Sequence, residues 1–154
     1  MPRLACAVLL ALALAAAPPN PVQWELRDPP ARPVKPGTRF TLRLVAHIDQ
    51  GWHLYSLKRL PDGPIPTRIW LGGEQPFQLG PVKAPEPIAM FDPNFNQEVE
   101  FFTGEAAFAL PLRATPSAAG TGKVTVSASY QVCSDRVCLP PRTVQVETPL
   151  AVKP

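Results

Sequence analysis

The chain has 154 residues, 45% of them hydrophobic and 22 of them proline, with 15 basic side chains against 12 acidic ones and a formal net charge of +3. That length supports one domain with a core that does not depend on disulfides, and a charge so near balance gives no case for binding nucleic acid or an acidic membrane surface. The prolines are spread among apolar residues, which argues against a disordered, low-complexity chain.

Taken in chain order, residues 1–17 read as a secretory signal peptide. Arg3 supplies the positive start, Leu4 to Leu14 an apolar run too short to span a bilayer, and Ala13 to Ala17 the small residues of a cleavage region. Because Pro18 is a poor first residue, cleavage after Ala15 competes with cleavage after Ala17. Leu4-Ala5-Cys6 also admits a lipoprotein reading, against which stands the short segment before it. Residues 18–154 are then one exported domain with no second apolar run, and so no membrane span in the mature chain. Loss of Arg3 leaves 14 basic residues against 12 acidic ones, and Cys133 and Cys138 as the remaining cysteines. An exported protein with one cysteine pair lives where a disulfide can persist.

The mature part reads as short strands between turn signals. Pro18 to Pro36 is a proline-rich lead-in interrupted by Val22 to Leu26, a candidate edge strand. Thr38 to Ile48 alternates most clearly, with Phe40, Leu42, Leu44, Ala46 and Ile48 on one face. The turn Gln50-Gly51 leads to Trp52 to Ser56, and Pro61 to Pro64 to a strand over Thr67 to Leu71. Phe77 to Val82 is a weaker strand, Phe91 to Asn96 a loop with two aromatics, and Val99 to Phe102 the next strand. Ala106 to Leu112 alternates through Phe108 and Leu110. No mature segment keeps helical periodicity over eleven residues without a Pro or Gly break. About eight or nine short strands of this kind predict an all-β, immunoglobulin-like β-sandwich.

The chemistry concentrates at the last strands. Val124, Val126, Ala128, Tyr130 and Val132 alternate with polar residues, which places Cys133 at a strand end, and Val144 and Val146 restart the pattern after Pro140-Pro141. Four residues separate Cys133 from Cys138, near enough for a disulfide if the turn folds back. A thioredoxin-type pair sits on the first turn of a helix, whereas Leu139-Pro140-Pro141 cannot continue one, so any thiol chemistry here lacks a helix dipole. The bridge reads either as a structural staple or as a redox switch. Closing so short a loop restricts the unfolded chain by only ~2 kcal/mol, which makes it a weak staple.

Three blocks together resemble a known family. Gly51-Trp52-His53-Leu54-Tyr55-Ser56, the loop around Phe95, and Tyr130-Gln131-Val132-Cys133 through Cys138-Leu139-Pro140-Pro141 look like the N-terminal periplasmic domain of the thiol:disulfide interchange protein DsbD, in the same order. The resemblance implies an immunoglobulin-like fold that needs no cofactor beyond its redox-active cysteine pair. It implies a periplasmic protein-disulfide reductase module that passes electrons from a thioredoxin-like donor to periplasmic thiol-disulfide proteins, including those of cytochrome c maturation. On that pattern Cys138 is the cysteine attacked by the donor and Cys133 resolves. Phe95 matches the aromatic of a cap loop, and His53 and Tyr55 match the active-site aromatics after the Gly turn.

The chain also departs from the pattern. Four residues rather than five lie between the cysteines, His53 stands where tyrosine is usual, and the acidic residues beside the cap aromatic reduce to Asp92. Since the sequence ends at Pro154 without a membrane relay, the donor is expected on a separate membrane protein.

Several residues carry two readings. Arg136, between the cysteines, favours a thiolate, but Asp135 beside it offsets that field and a solvated turn of mixed charge accounts for both. His53 reads as a proton acceptor near the thiols or as a packed strand residue, and Phe95 as a cover for the site or as core. Cys133, Cys138, His47 and His53 suggest a Cys₂His₂ metal set, and Met90 a copper ligand, but the Cys-x₄-Cys and His-x₅-His spacings suit zinc poorly and no metal is expected. No hydrolase triad or phosphate loop is evident. The alternative to an exchange module is a non-catalytic immunoglobulin-like binding domain with a structural disulfide.

Overall fold

The computed structural model describes residues 20–154, so the predicted signal peptide and Cys6 lie outside the described residues. The fold is all-β, as the alternation predicts, with eleven strands, one 3₁₀ turn at Pro116–Ala118 and no α-helix among the described residues. The strands are β1 (Val22–Arg27), β2 (Arg39–Ile48), β3 (His53–Tyr55), β4 (Arg68–Leu71), β5 (Phe77–Leu79), β6 (Ile88–Asp92), β7 (Gln97–Phe102), β8 (Glu105–Ala114), β9 (Lys123–Tyr130), β10 (Val132–Cys133) and β11 (Arg142–Pro149).

They form three antiparallel sheets, ordered β1-β2-β8-β5, β11-β9-β4 and β10-β3-β7-β6. The first sheet is one layer of an immunoglobulin-like sandwich, and the other two make the opposing layer. Alternation drives this closure. Leu42, Leu44 and Ala46 of β2 and Phe108, Leu110 and Leu112 of β8 present one apolar face, which meets Val124, Val126, Ala128 and Tyr130 of β9 in a single buried cluster. Leu54, Phe102 and Val132 extend that cluster beneath the third sheet. Trp24 closes the seam against Phe108 and Tyr130, with ring centroids 6.0 Å and 5.3 Å away. Phe40, expected in the core, is only partly buried and meets Phe77 edge-on at 6.1 Å.

Three departures from the expected strands bear on function. The strand count is higher than eight or nine, partly because the alternation through Val132 hides a change of sheet at Gln131. β9 pairs with β4 and β11, whereas β10 pairs with β3. Gln131 marks the change: its side-chain carbonyl accepts the Ile65 N–H at 2.9 Å, while its backbone carbonyl faces Tyr55. Next, the expected loop from Phe91 to Asn96 is a hairpin, whose first strand β6 runs to Asp92 and pairs with β7. Last, the weak strand from Phe77 ends at Leu79, not at Val82.

Candidate functional site

The cysteine segment folds into a minimal hairpin. The Ser134 N–H donates to Val137 O at 2.8 Å and the Leu139 N–H to Val132 O at 3.0 Å, leaving Cys133 and Cys138 directly opposite between them. Ser134 stabilises the turn, its hydroxyl oxygen accepting the N–H groups of Arg136 and Val137 at 3.3 and 3.2 Å. With the Cα atoms 4.0 Å apart, Cys133 and Cys138 form a disulfide. Cys133 is fully buried at 0% exposure, while Cys138 is half-buried. Asp135, Arg136 and Val137 at the tip are exposed.

Pairing along the third sheet fixes what shares a face with the disulfide. Cys133 lies opposite His53, Tyr55 opposite Phe101, Phe101 opposite Ile88, and Val99 opposite Met90. Because strand side chains alternate, these residues project to one side and Leu54, Phe102 and Val132 to the core side. Tyr55, Val99, Phe101 and Cys133 form a second, smaller buried cluster, against which Leu60, Phe95 and Cys138 pack.

The β6–β7 turn leans on this cluster. Asp92 is buried and well supplied with donors: its Oδ2 accepts the Tyr55 hydroxyl at 2.6 Å, and its Oδ1 accepts the backbone N–H and side-chain amide of Asn94 at 2.8 and 2.9 Å. These bonds turn the chain immediately after β6, and Asn96, at φ 52°, completes the reversal in a left-handed conformation that asparagine tolerates. The turn thereby sets the Phe95 ring edge-on to Tyr55, with centroids 5.7 Å apart. Burial, and after it the hydrogen bond to Asp92, holds the Tyr55 phenol protonated well above the ordinary tyrosine range.

Tyr55, Asp92, Phe95, His53, Cys133 and Cys138 therefore gather on one face. Within it His53 is 13% exposed, its ring 4.7 Å from Phe101 and its Nε2 3.5 Å from an Asp135 carboxylate oxygen. Arg136 stays on the solvated turn with no ion-pair partner among the described residues. Phe91, paired with Phe95 in the sequence reading as a loop aromatic, is instead on β6 and 57% exposed. His47 bonds to Glu25 at 2.8 Å, and Met90 sits on the exposed part of β6. Among the described residues no cluster of three or more His, Cys, Asp or Glu side chains could hold a metal ion. Phe101, Val99 and Leu60 escaped the sequence reading as site residues. The alternation Val99, Phe101 in β7 marks their shared face, but only cross-strand pairing places it beside the cysteines.

The described residues form an all-β domain of the immunoglobulin-like class whose disulfide lies in a hairpin on an outer sheet face, an arrangement open to thiol-disulfide exchange and to a structural role alike. The family described as "Thiol:disulfide interchange protein DsbD, N-terminal" matches residues 25–150, and the chain belongs to it. Among solved structures it is similar to the DsbD N-terminal domain of Neisseria meningitidis in the reduced form, at 20% identity and a TM-score of 0.48, over 71% of this chain and 75% of that one. It is also similar to the N-terminal periplasmic domain of ScsB from Proteus mirabilis, at 14% identity and a TM-score of 0.48, over 82% of this chain and 51% of that one. No curated protein gives a significant match.

Proposed function

We propose that residues 18–154 act in the periplasm, after removal of the signal peptide, as a module that relays electrons from a thioredoxin-like donor to exported thiol proteins through Cys133 and Cys138. The family's thiol-disulfide interchange supports the chemistry, and the asymmetric burial of the two sulfurs supports the order of events. A donor thiolate must approach in line with the sulfur it attacks. Cys138 is the half-buried partner and Cys133 the fully buried one, so attack falls on Cys138 and Cys133 departs and later resolves the mixed disulfide. Phe95 and Tyr55 line the approach, with Asp92 fixing Tyr55. Among the described residues no helix is long and apolar enough to cross a membrane.

The complete burial of Cys133 also favours a second reading, a binding domain with a structural disulfide. Equilibration with glutathione or thioredoxin couples separates them. A reduction potential in the range of exchange proteins supports the relay, and one below about −300 mV supports the staple.

A further inference from the structure

We propose that His53 is the proton donor and acceptor for the Cys133 sulfur during exchange. This rests on the exchange reading above and adds to it the fate of the proton. When the thiolate of a donor dithiol attacks Sγ of Cys138, a new S–S bond forms to the donor, the Cys133–Cys138 bond breaks, and its electron pair leaves on Sγ of Cys133. That thiolate is generated at a fully buried position, where desolvation disfavours charge. A proton delivered there removes the penalty. The donor's second thiol then releases the donor as a disulfide, leaving both protein cysteines reduced after transfer of two electrons. In the reverse role Cys138 forms the mixed disulfide with an acceptor, and Cys133 must give up its proton before it can attack Cys138.

His53 is the strand partner directly opposite Cys133. The backbone bond from Tyr55 N–H to Gln131 O makes the pairs alternate so that His53 and Cys133 form a hydrogen-bonded pair, with the Cα separation of about 5.5 Å typical of such pairs. Both side chains project to the same face of the sheet. The other titratable groups around the disulfide are already engaged or point away. From β3, the Tyr55 hydroxyl donates to Asp92. From β6, Asp92 also accepts two bonds from Asn94. On β7, the Glu100 carboxylate lies on the opposite side of the strand and bonds Lys58, while Phe101 gives His53 only an apolar ring contact. From the turn come Arg136, a fixed cation, and Asp135, whose carboxylate oxygen is 3.5 Å from Nε2 and whose side chain is 90% exposed. That separation exceeds a good hydrogen bond, so Asp135 does not hold the ring rigidly. Imidazole changes charge between pH 5 and 8, which allows both directions of transfer near neutrality.

The test is the rate of disulfide reduction by dithiothreitol across pH 5–9, divided by the concentration of its thiolate. In the wild type this normalised rate should fall by about tenfold as the imidazolium is lost, below the 10²–10⁴-fold typical of a strong general acid because a thiolate is already a fair leaving group. His53→Gln should remove the fall and match the slow, high-pH limit. Asp135→Asn, a change at an exposed turn, should retain the fall. Identical normalised profiles in wild type and both variants would overturn the proton role while leaving the exchange reading intact. Failure of any thiol to reduce the wild-type pair would remove both.

Discussion

Tyr55 and Asp92, 37 residues apart, share a 2.6 Å hydrogen bond that ties β3 to the end of β6 and so holds the Phe95 turn against the small cluster that contains Cys133. Removing the hydroxyl with Tyr55→Phe leaves the buried Asp92 oxygen without that donor. The expected loss is about 1–3 kcal/mol, measured by urea unfolding at neutral pH. An unchanged midpoint would mean that water or Asn94 replaces the bond fully.

The same contact predicts an alkaline limit to stability. Burial and the Asp92 hydrogen bond raise Tyr55 above its ordinary range, and burial does the same to Tyr130. A group raised in the folded state contributes stability that is complete below its unfolded pKa, about 10 for tyrosine, and that is lost as pH rises toward the folded value. Urea midpoints should therefore hold level to about pH 9 and fall above pH 10. In Tyr55→Phe the fall should be shallower, and an equal slope would assign the effect to other groups.

Reduction should leave the fold intact. The main cluster spans the two layers without either cysteine, and the short bridge contributes only ~2 kcal/mol by restricting the unfolded chain. The Cys133→Ser, Cys138→Ser double variant should retain a single cooperative thermal transition at a lower midpoint. Loss of cooperativity would favour the structural-staple reading.

How far these features could be read from the chain depends on whether they are local. β2, β8 and β9 were legible because each buries one face, so the alternation of Leu42 with Leu44 or Val124 with Val126 records it. β6 was not, because Ile88, Ala89, Met90 and Phe91 at the edge of its sheet are all exposed and only Asp92 is buried. An edge strand whose first four residues are all exposed leaves no period of two in its composition. The sheet change at Gln131 was equally hidden, since Tyr130 and Val132 are both buried and the alternation passes through unbroken. The candidate site was legible as motifs around Cys133, Tyr55 and Phe95, but the pairing of His53 with Cys133 is long-range and emerges only from the register.

The accessible sulfur should be the one captured by a partner. Each single Cys→Ser variant, incubated with a thioredoxin-like protein lacking its resolving cysteine, offers one sulfur for a mixed disulfide. The protein retaining Cys138, half-buried at the hairpin, should be trapped, and the protein retaining the fully buried Cys133 should not. Preferential capture at Cys133 would reverse the proposed order of attack.

Phe95 connects the turn to reactivity, and its geometry sharpens what its removal should do. An exchange site needs a reachable sulfur, yet a reduced pair in an oxidising compartment loses electrons to any small oxidant that reaches it. Phe95 is only partly buried, edge-on to Tyr55, and packs with Cys138 on the small cluster and not in the main core. A contact of that kind contributes about 0.5–1.5 kcal/mol for the aromatic pair, small enough for a docking protein to displace. Phe95→Ala should therefore cost about 1 kcal/mol in urea unfolding while raising the alkylation rate of the reduced pair by iodoacetamide several-fold. The two measurements together discriminate, because a core phenylalanine would instead cost ~3–5 kcal/mol and leave the alkylation rate of the folded protein unchanged. That second pattern would make Phe95 a packing residue and leave Cys138 shielded only by its own hairpin.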